Sequence, residues 1–225
     1  MNSSTQPAYH SPVQGSIELI IGPMFSGKTT ELMRRITRHR LARHSCLVIK
    51  FKLDTRYSFD KLSSHDRQMC PAIACSRLSE AEDHLKDVQV IGIDEGQFYP
   101  DLLQFCETQA NAGRIVIISA LDGDFQRKRF NDVVDLIPMA ESVVKLTAVC
   151  SVCGDSASFS KRIALSSKQQ LIGGMESYQA VCRRCYFDGH LQSSNSKQSC
   201  PIGMANECTD SPLEENPLSP PQVPV

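Results

Sequence analysis

Gly22-Pro23-Met24-Phe25-Ser26-Gly27-Lys28-Thr29 constrains this chain more than any other segment, because it matches G-x-x-x-x-G-K-[ST] at every fixed position. Glycines at the two ends let backbone N–H groups turn inward around phosphate oxygens, and a helix starting at the last residues adds its positive end. Lys28 is placed to reach the β- and γ-phosphates, and the Thr29 hydroxyl is a magnesium ligand. A glycine turn can match the bare pattern by chance. Here the loop follows an apolar run, Ile17–Ile21, and opens a stretch of helical spacing with Leu32, Met33, Ile36 and Leu41 on one side and Arg34, Arg35, Arg38 and Arg40 on the other. Strand, loop and helix in that order make a nucleotide site.

The same alternation continues. Cys46–Phe51 and Val88–Ile93 read as strands, Asp101 and Gly113 bracket a helix carrying Leu102, Leu103, Cys106 and Ala110, and Arg114–Leu121 is the most β-branched segment. This order predicts an α/β core with a mostly parallel sheet. In such sheets ligands gather at the carboxyl ends of the strands, where Val88–Ile93 delivers Asp94 and Glu95. Asp94 is the candidate magnesium-side carboxylate. Glu95 is left for chemistry, either orienting a hydrolytic water, as in an ATPase, or accepting the proton of an attacking hydroxyl, as in a kinase. An isolated Asp-Glu pair is more often a solvated turn, but beside a phosphate loop the functional reading is preferred.

From Val149 the pattern changes. Cys150-x-x-Cys153 and Cys182-x-x-Cys185 form two pairs with 28 residues between them, the layout of a tetrahedral four-cysteine zinc site carrying an excursion. A redox dithiol is the rival, and it would need only one pair. Structural zinc is worth an apparent free energy of about 10–16 kcal/mol, enough to order a unit with little core. Within the excursion, Gln169 to Met175 places Gly173 and Gly174 after an apolar pair; this is either an ordinary hairpin turn or a loop whose backbone approaches a ligand.

Composition limits the partners. Lys and Arg number 24 against 25 Asp and Glu, so a net charge of −1 gives no global field for holding nucleic acid or an anionic membrane. The first residues are polar with no apolar signal core, and the apolar runs are strand-sized. A reducing, cytoplasmic setting is therefore the expectation, and with it thiols rather than disulfides. Residues 192–225 hold six of the 12 prolines and no aromatic residue, which predicts disorder. The expected organisation is a disordered segment 1–15, a phosphate-loop α/β domain 16–148, a zinc-binding unit 149–190 and a disordered tail 191–225.

Gly22–Thr29, Asp54–Tyr57 as DTRY, Gly92–Phe98 as GIDEGQF, Leu121–Phe125 as LDGDF and the two cysteine pairs together resemble the cytosolic (type II) thymidine kinases, over about Gly15 to Phe187. The resemblance implies a recombinase-like α/β domain with a zinc-bound lasso, phosphoryl transfer from ATP to the 5′-hydroxyl of thymidine, and usually a homotetramer, with a dimer as the smaller assembly. It implies that Gly22, Pro23, Met24, Phe25, Ser26, Gly27, Lys28 and Thr29 bind ATP, together with Asp54, Thr55, Arg56, Asp94, Glu95, Gly96 and Gln97. Glu95 resembles the family's general base. Phe125 would stack near the thymine, Gln169, Gln170, Leu171, Ile172 and Gly173 would offer backbone hydrogen bonds to the base, and Tyr178 would contact the substrate. Met24, Phe98, Leu121 and Phe130 would line the pocket, and Cys150, Cys153, Cys182 and Cys185 would hold zinc. Taken without the resemblance, the residues give a Mg·ATP phosphotransferase or an ATPase. The alternative function is a zinc-ribbon ATPase acting on single-stranded nucleic acid, for which Lys161, Arg162, Lys168, Arg183 and Arg184 near the cysteines are the footing.

Overall fold

A computed structural model describes residues 14–53, 72–164 and 173–188, all within one compact unit. Its centre is a six-stranded sheet of order β3-β2-β4-β5-β1-β6. The strands are β1 (Ser16–Gly22), β2 (Cys46–Phe51), β3 (Ala72–Cys75), β4 (Val90–Ile93), β5 (Ile115–Leu121) and β6 (Ser142–Lys145). Every pairing among them is parallel. The four strands expected from sequence are present. The two edge strands, β3 and β6, are not among them: the equally short β4 is buried throughout, whereas these two are largely uncovered and do not read as continuous apolar runs.

Successive side chains point to opposite faces, and both faces are covered. Ile20, Val48, Val90 and Ile117 meet Leu32 and Ile36 of helix α1 (Lys28–Leu41). Leu19, Leu47, Ile49, Ile91, Ile93 and Ile118 share the second cluster with Leu102, Phe105 and Cys106 of helix α2 (Leu102–Asn111) and with Val133 and Leu136 of a 3₁₀ segment, Asn131–Met139. Two-sided burial explains why these strands read as continuous apolar runs. On α1 the basic side is partly neutralised at home: Glu31 and Glu18 pair with Arg35, Glu31 also pairs with Arg34, and those guanidiniums hold the Glu31 carboxyl down to about 2.

Asp101 precedes α2, as its position predicts, but its carboxylate does not cap that helix. It accepts the N–H groups of Leu78 and Ser79, at 3.1 and 3.0 Å, and so anchors the 3₁₀ segment Leu78–His84 against α2. The remaining elements are short: hairpin β7 (Ala148–Val149) with β8 (Ser156–Ala157), hairpin β9 (Phe159–Arg162) with β10 (Tyr178–Val181), and helix α3 (Arg183–Asp188). The segments expected to be disordered lie outside the described residues, apart from residues 14 and 15.

Burial tends to raise the Asp101 carboxyl, but the N–H donors of Ser79 and Leu78 outweigh it and leave the group below its ordinary value. A depressed folded-state pKa contributes stability that is present above the ordinary carboxylate range and disappears as pH falls through the folded value. Asp101→Ala is therefore expected to lose about 1–2 kcal/mol at neutral pH. Urea unfolding of both proteins should show that deficit shrinking in acid, and a deficit independent of pH would contradict the assignment.

Candidate nucleotide and substrate site

The site is assembled where β1, β5 and β4, adjacent in the sheet, present their carboxyl ends together. At the end of β1, Gly22 has φ 148°, and a Cβ there would stand 2.5 Å from the Leu146 carbonyl oxygen, so only glycine fits. Phe25 and Gly27 take positive φ as well, at 65° and 81°. The loop closes on one acceptor: Lys28 Nζ and Ser26 Oγ both donate to the Pro23 carbonyl, at 2.7 and 2.8 Å. Gly27 is the N-cap of α1 and has no side chain to cap the first turn, the arrangement in which the N–H groups of a helix start suit an anion.

Asp94 ends β4 and is buried. Its carboxylate accepts the Thr29 hydroxyl at 3.1 Å and the Ser119 hydroxyl from β5. Burial, together with the charge of Glu95, holds the Asp94 carboxyl above the usual range, with the two hydroxyls pulling the other way. A hydroxyl and a carboxylate sharing one point at the mouth of a phosphate loop are the oxygen donors that magnesium takes, so these residues fit that ion.

Glu95 is half-buried and left-handed, at φ 55° and ψ 44°. That conformation is costly for a residue with a Cβ, and such strain collects at functional positions. Gly96 follows because the backbone runs against β5: a Cβ there would lie 2.7 Å from Ile118 Cγ2. Gln97 is fully buried; its amide NH₂ donates to Glu95 Oε2, and its Oε1 accepts the Leu121 N–H at 2.9 Å.

The residues expected around a substrate fall into neighbouring groups. Phe98 stacks on Phe51, with ring centroids 5.0 Å apart, and meets the Phe130 edge at 5.8 Å. Met24 and Phe130 are buried. Phe125 lies under the Arg162 guanidinium, 3.9 Å from its ring centroid, and the same guanidinium donates to the Tyr178 hydroxyl at 2.5 Å. The Phe125 carbonyl accepts the Tyr186 hydroxyl at 2.7 Å, and Arg127 inserts over the rings of Tyr186 and Phe187. Ser160 of β9 accepts the Met24 N–H at 2.9 Å, which ties the hairpin to the phosphate loop. Leu121 enters through its backbone, as the donor to Gln97. Asp54, Thr55, Arg56, Gln169, Gln170, Leu171 and Ile172 lie outside the described residues, while Gly173 is within them.

Three residues of this network escape a reading of the sequence: Ser119, Ser160 and Asn131, whose side-chain amide donates to the Gln97 carbonyl at 2.6 Å. Only Ser119 leaves a trace, as the lone hydroxyl in the run Ile115–Leu121. The others meet the site across long chain separations that no spacing rule covers.

Cys150, Cys153, Cys182 and Cys185 bring their sulfurs within 4.8 Å of one another. Cys153 and Cys182 are 3.7 Å apart, against about 3.8 Å for two thiolates on a tetrahedral zinc with 2.3 Å bonds. The quartet therefore fits zinc. The core beside it is small, built of Ala148, Ala157, Ala180 and Val181 with two of the cysteines.

The family model described as thymidine kinase matches residues 15–186. The thymidine kinase of variola virus (isolate Human/India/Ind3/1967) is 53% identical over 174 residues, covering 77% of this chain and 98% of that one. The cytosolic thymidine kinase of Homo sapiens is 48% identical over 199 residues, covering 87% of this chain and 85% of that one. That of Gallus gallus is 47% identical over 210 residues, covering 91% and 94%.

Because the small core beside the cysteines contributes little, metal should dominate the order of this unit. Cys153→Ser is expected to lose bound zinc, measured by elemental analysis, and to make residues 148–188 the first site of limited proteolysis. A variant that kept full zinc occupancy, or whose digestion matched wild type, would count against a structural ion.

Proposed function

The chain belongs to the thymidine kinase family, and from that premise we infer that it transfers the γ-phosphoryl group of ATP to the 5′-hydroxyl of thymidine, yielding thymidine monophosphate. The observation that carries the chemistry is Glu95, held by Gln97 at the sheet edge that also bears the phosphate loop.

In this reading the loop N–H groups and Lys28 receive the triphosphate. Asp54, Thr55, Arg56, Asp94, Gly96 and Gln97 complete the nucleotide side by family pattern. Thr29 and Asp94 hold magnesium, which supplies charge neutralisation at the phosphates when bound. Glu95 accepts the proton of the 5′-hydroxyl as that oxygen attacks in line, so the alkoxide never has to exist free. Phe125 and Tyr178 flank the thymine, residues 169–173 meet its edge with backbone groups, and Met24, Phe98, Leu121 and Phe130 close the pocket. The zinc-stapled unit, 149–190, acts as the lid that keeps water from the phosphoryl group. Its attachments are the Met24–Ser160, Phe125–Tyr186 and Arg162–Phe125 contacts. A cytosolic location follows the names of the human and chicken relatives, and a homotetramer follows the family resemblance.

The rival, an ATPase on single-stranded nucleic acid, needs cations free to track a backbone. Lys161 instead donates to the carbonyls of Cys185 and Tyr186, Arg162 is stacked on Phe125, and Arg183 lies over Phe159. Arg183 and Arg184 are exposed and Lys168 lies outside the described residues, but Lys161 and Arg162 are engaged within the fold, which favours the nucleoside reading.

Offered Mg·ATP and each of the four natural deoxynucleosides, the purified protein is expected to form thymidine monophosphate in preference to the other products. ATP consumption without any phosphorylated nucleoside would defeat the reading. Glu95→Gln is expected to keep ATP affinity in calorimetry while kcat drops by about 10²–10⁴-fold, the range for losing a general base. Near-normal turnover of that variant would remove the base assignment.

A further inference from the structure

Among the described polar side chains Gln97 is the most deeply buried, at 0% exposure. A primary amide in that setting must satisfy both of its ends. Its oxygen is committed by the Leu121 N–H, at the last residue of β5, so the amide cannot flip. The NH₂ group is then forced towards Glu95 Oε2. The backbone of Gln97 is held as well: Asn131 Nδ2 donates to its carbonyl at 2.6 Å, from a residue that itself takes φ 46°. A rigid path thus runs from the end of a central strand, through one amide, to the carboxylate that sits in a strained backbone.

We propose that Gln97 is a positioning residue for phosphoryl transfer, one that fixes the Glu95 carboxylate in the orientation that receives the nucleoside proton. The proposal rests on Glu95 being the proton acceptor. It goes beyond nucleotide binding for Gln97, because both ends of the amide are engaged within the protein. A neutral donor suits the task. It orients the carboxylate with a single hydrogen bond to one oxygen, whereas a lysine or arginine would form an ion pair and weaken it as a base. Orientation matters because a displacement of about 1 Å at a reacting group can cost on the order of 100-fold in rate.

Three variants of the full chain test this. Gln97→Met is similar in length and lacks both the donor and the acceptor; kcat is expected to fall by about 100-fold while KM for thymidine stays within about threefold. Placed in a Glu95→Gln background, the same substitution should cost no more than about twofold further, since it acts through the group already lost. Gln97→Glu retains the acceptor for Leu121 and can donate to Glu95 only when protonated. Its deficit relative to wild type should therefore narrow as pH falls, a pattern that a merely structural role would not produce. If Gln97→Met fails to fold, as judged by thermal melting, Gln97→Glu carries the test alone. Wild-type kcat in Gln97→Met beside an inactive Glu95→Gln would overturn the proposal and leave the base reading standing. Additive losses in the double variant, or a deficit of Gln97→Glu independent of pH, would also overturn it. Normal turnover of Glu95→Gln would remove the base reading, and this proposal with it.

Discussion

Asp94 is the point on which the site depends. Its carboxylate is buried at the end of β4 and receives one hydroxyl from the helix after the phosphate loop and another from β5. Those two hydrogen bonds join three pieces of chain distant in sequence into a single corner. They also counter the burial that would otherwise favour the protonated acid. Parallel pairing makes this possible: with β5 between β1 and β4 and all three running the same way, every carboxyl end opens on the same edge.

The residue after Asp94 departs from relaxed geometry. A left-handed Glu95 and a Gly96 pressed against Ile118 turn the chain sharply away from the strand. Such a conformation persists only where its surroundings over-determine it. Here the surroundings are the Gln97 amide, the Leu121 N–H and the Asn131 side chain, all drawn from the β4 and β5 ends and the segment that follows. The contacts that hold the strain therefore also fix where the Glu95 carboxylate stands.

The cysteine-bearing segment contacts the same region through Ser160, Arg162 and Tyr186. Its own apolar core is small, and much of its attachment to the rest of the fold is polar or aromatic: a serine hydroxyl on the phosphate loop, a tyrosine hydroxyl on a carbonyl, and guanidinium groups over rings. Arg127 adopts φ 64° to insert over Tyr186 and Phe187. Guanidinium stacking of this kind contributes roughly 0.5–2 kcal/mol per contact, so the attachment is a sum of modest terms that metal at the cysteines would stiffen.

Local chemistry determined a large part of this protein from the sequence alone. The glycine-lysine-threonine spacing, the apolar runs ending in Asp94-Glu95 and the paired cysteines each depend on neighbours a few residues apart, and each is present in the structure at the expected position. The order of strands, the edge strands β3 and β6, and the role of Asp101 in anchoring a different segment were decided only on folding. The same is true of Ser119, Ser160 and the long-range contacts of Gln97 and Arg162. These contacts span 16 to 136 positions, and no spacing rule records the encounter. A hydrogen bond needs two groups within about 3 Å. Periodicity shows which face of an element is buried, but only the packed sheet sets which polar atoms meet across it.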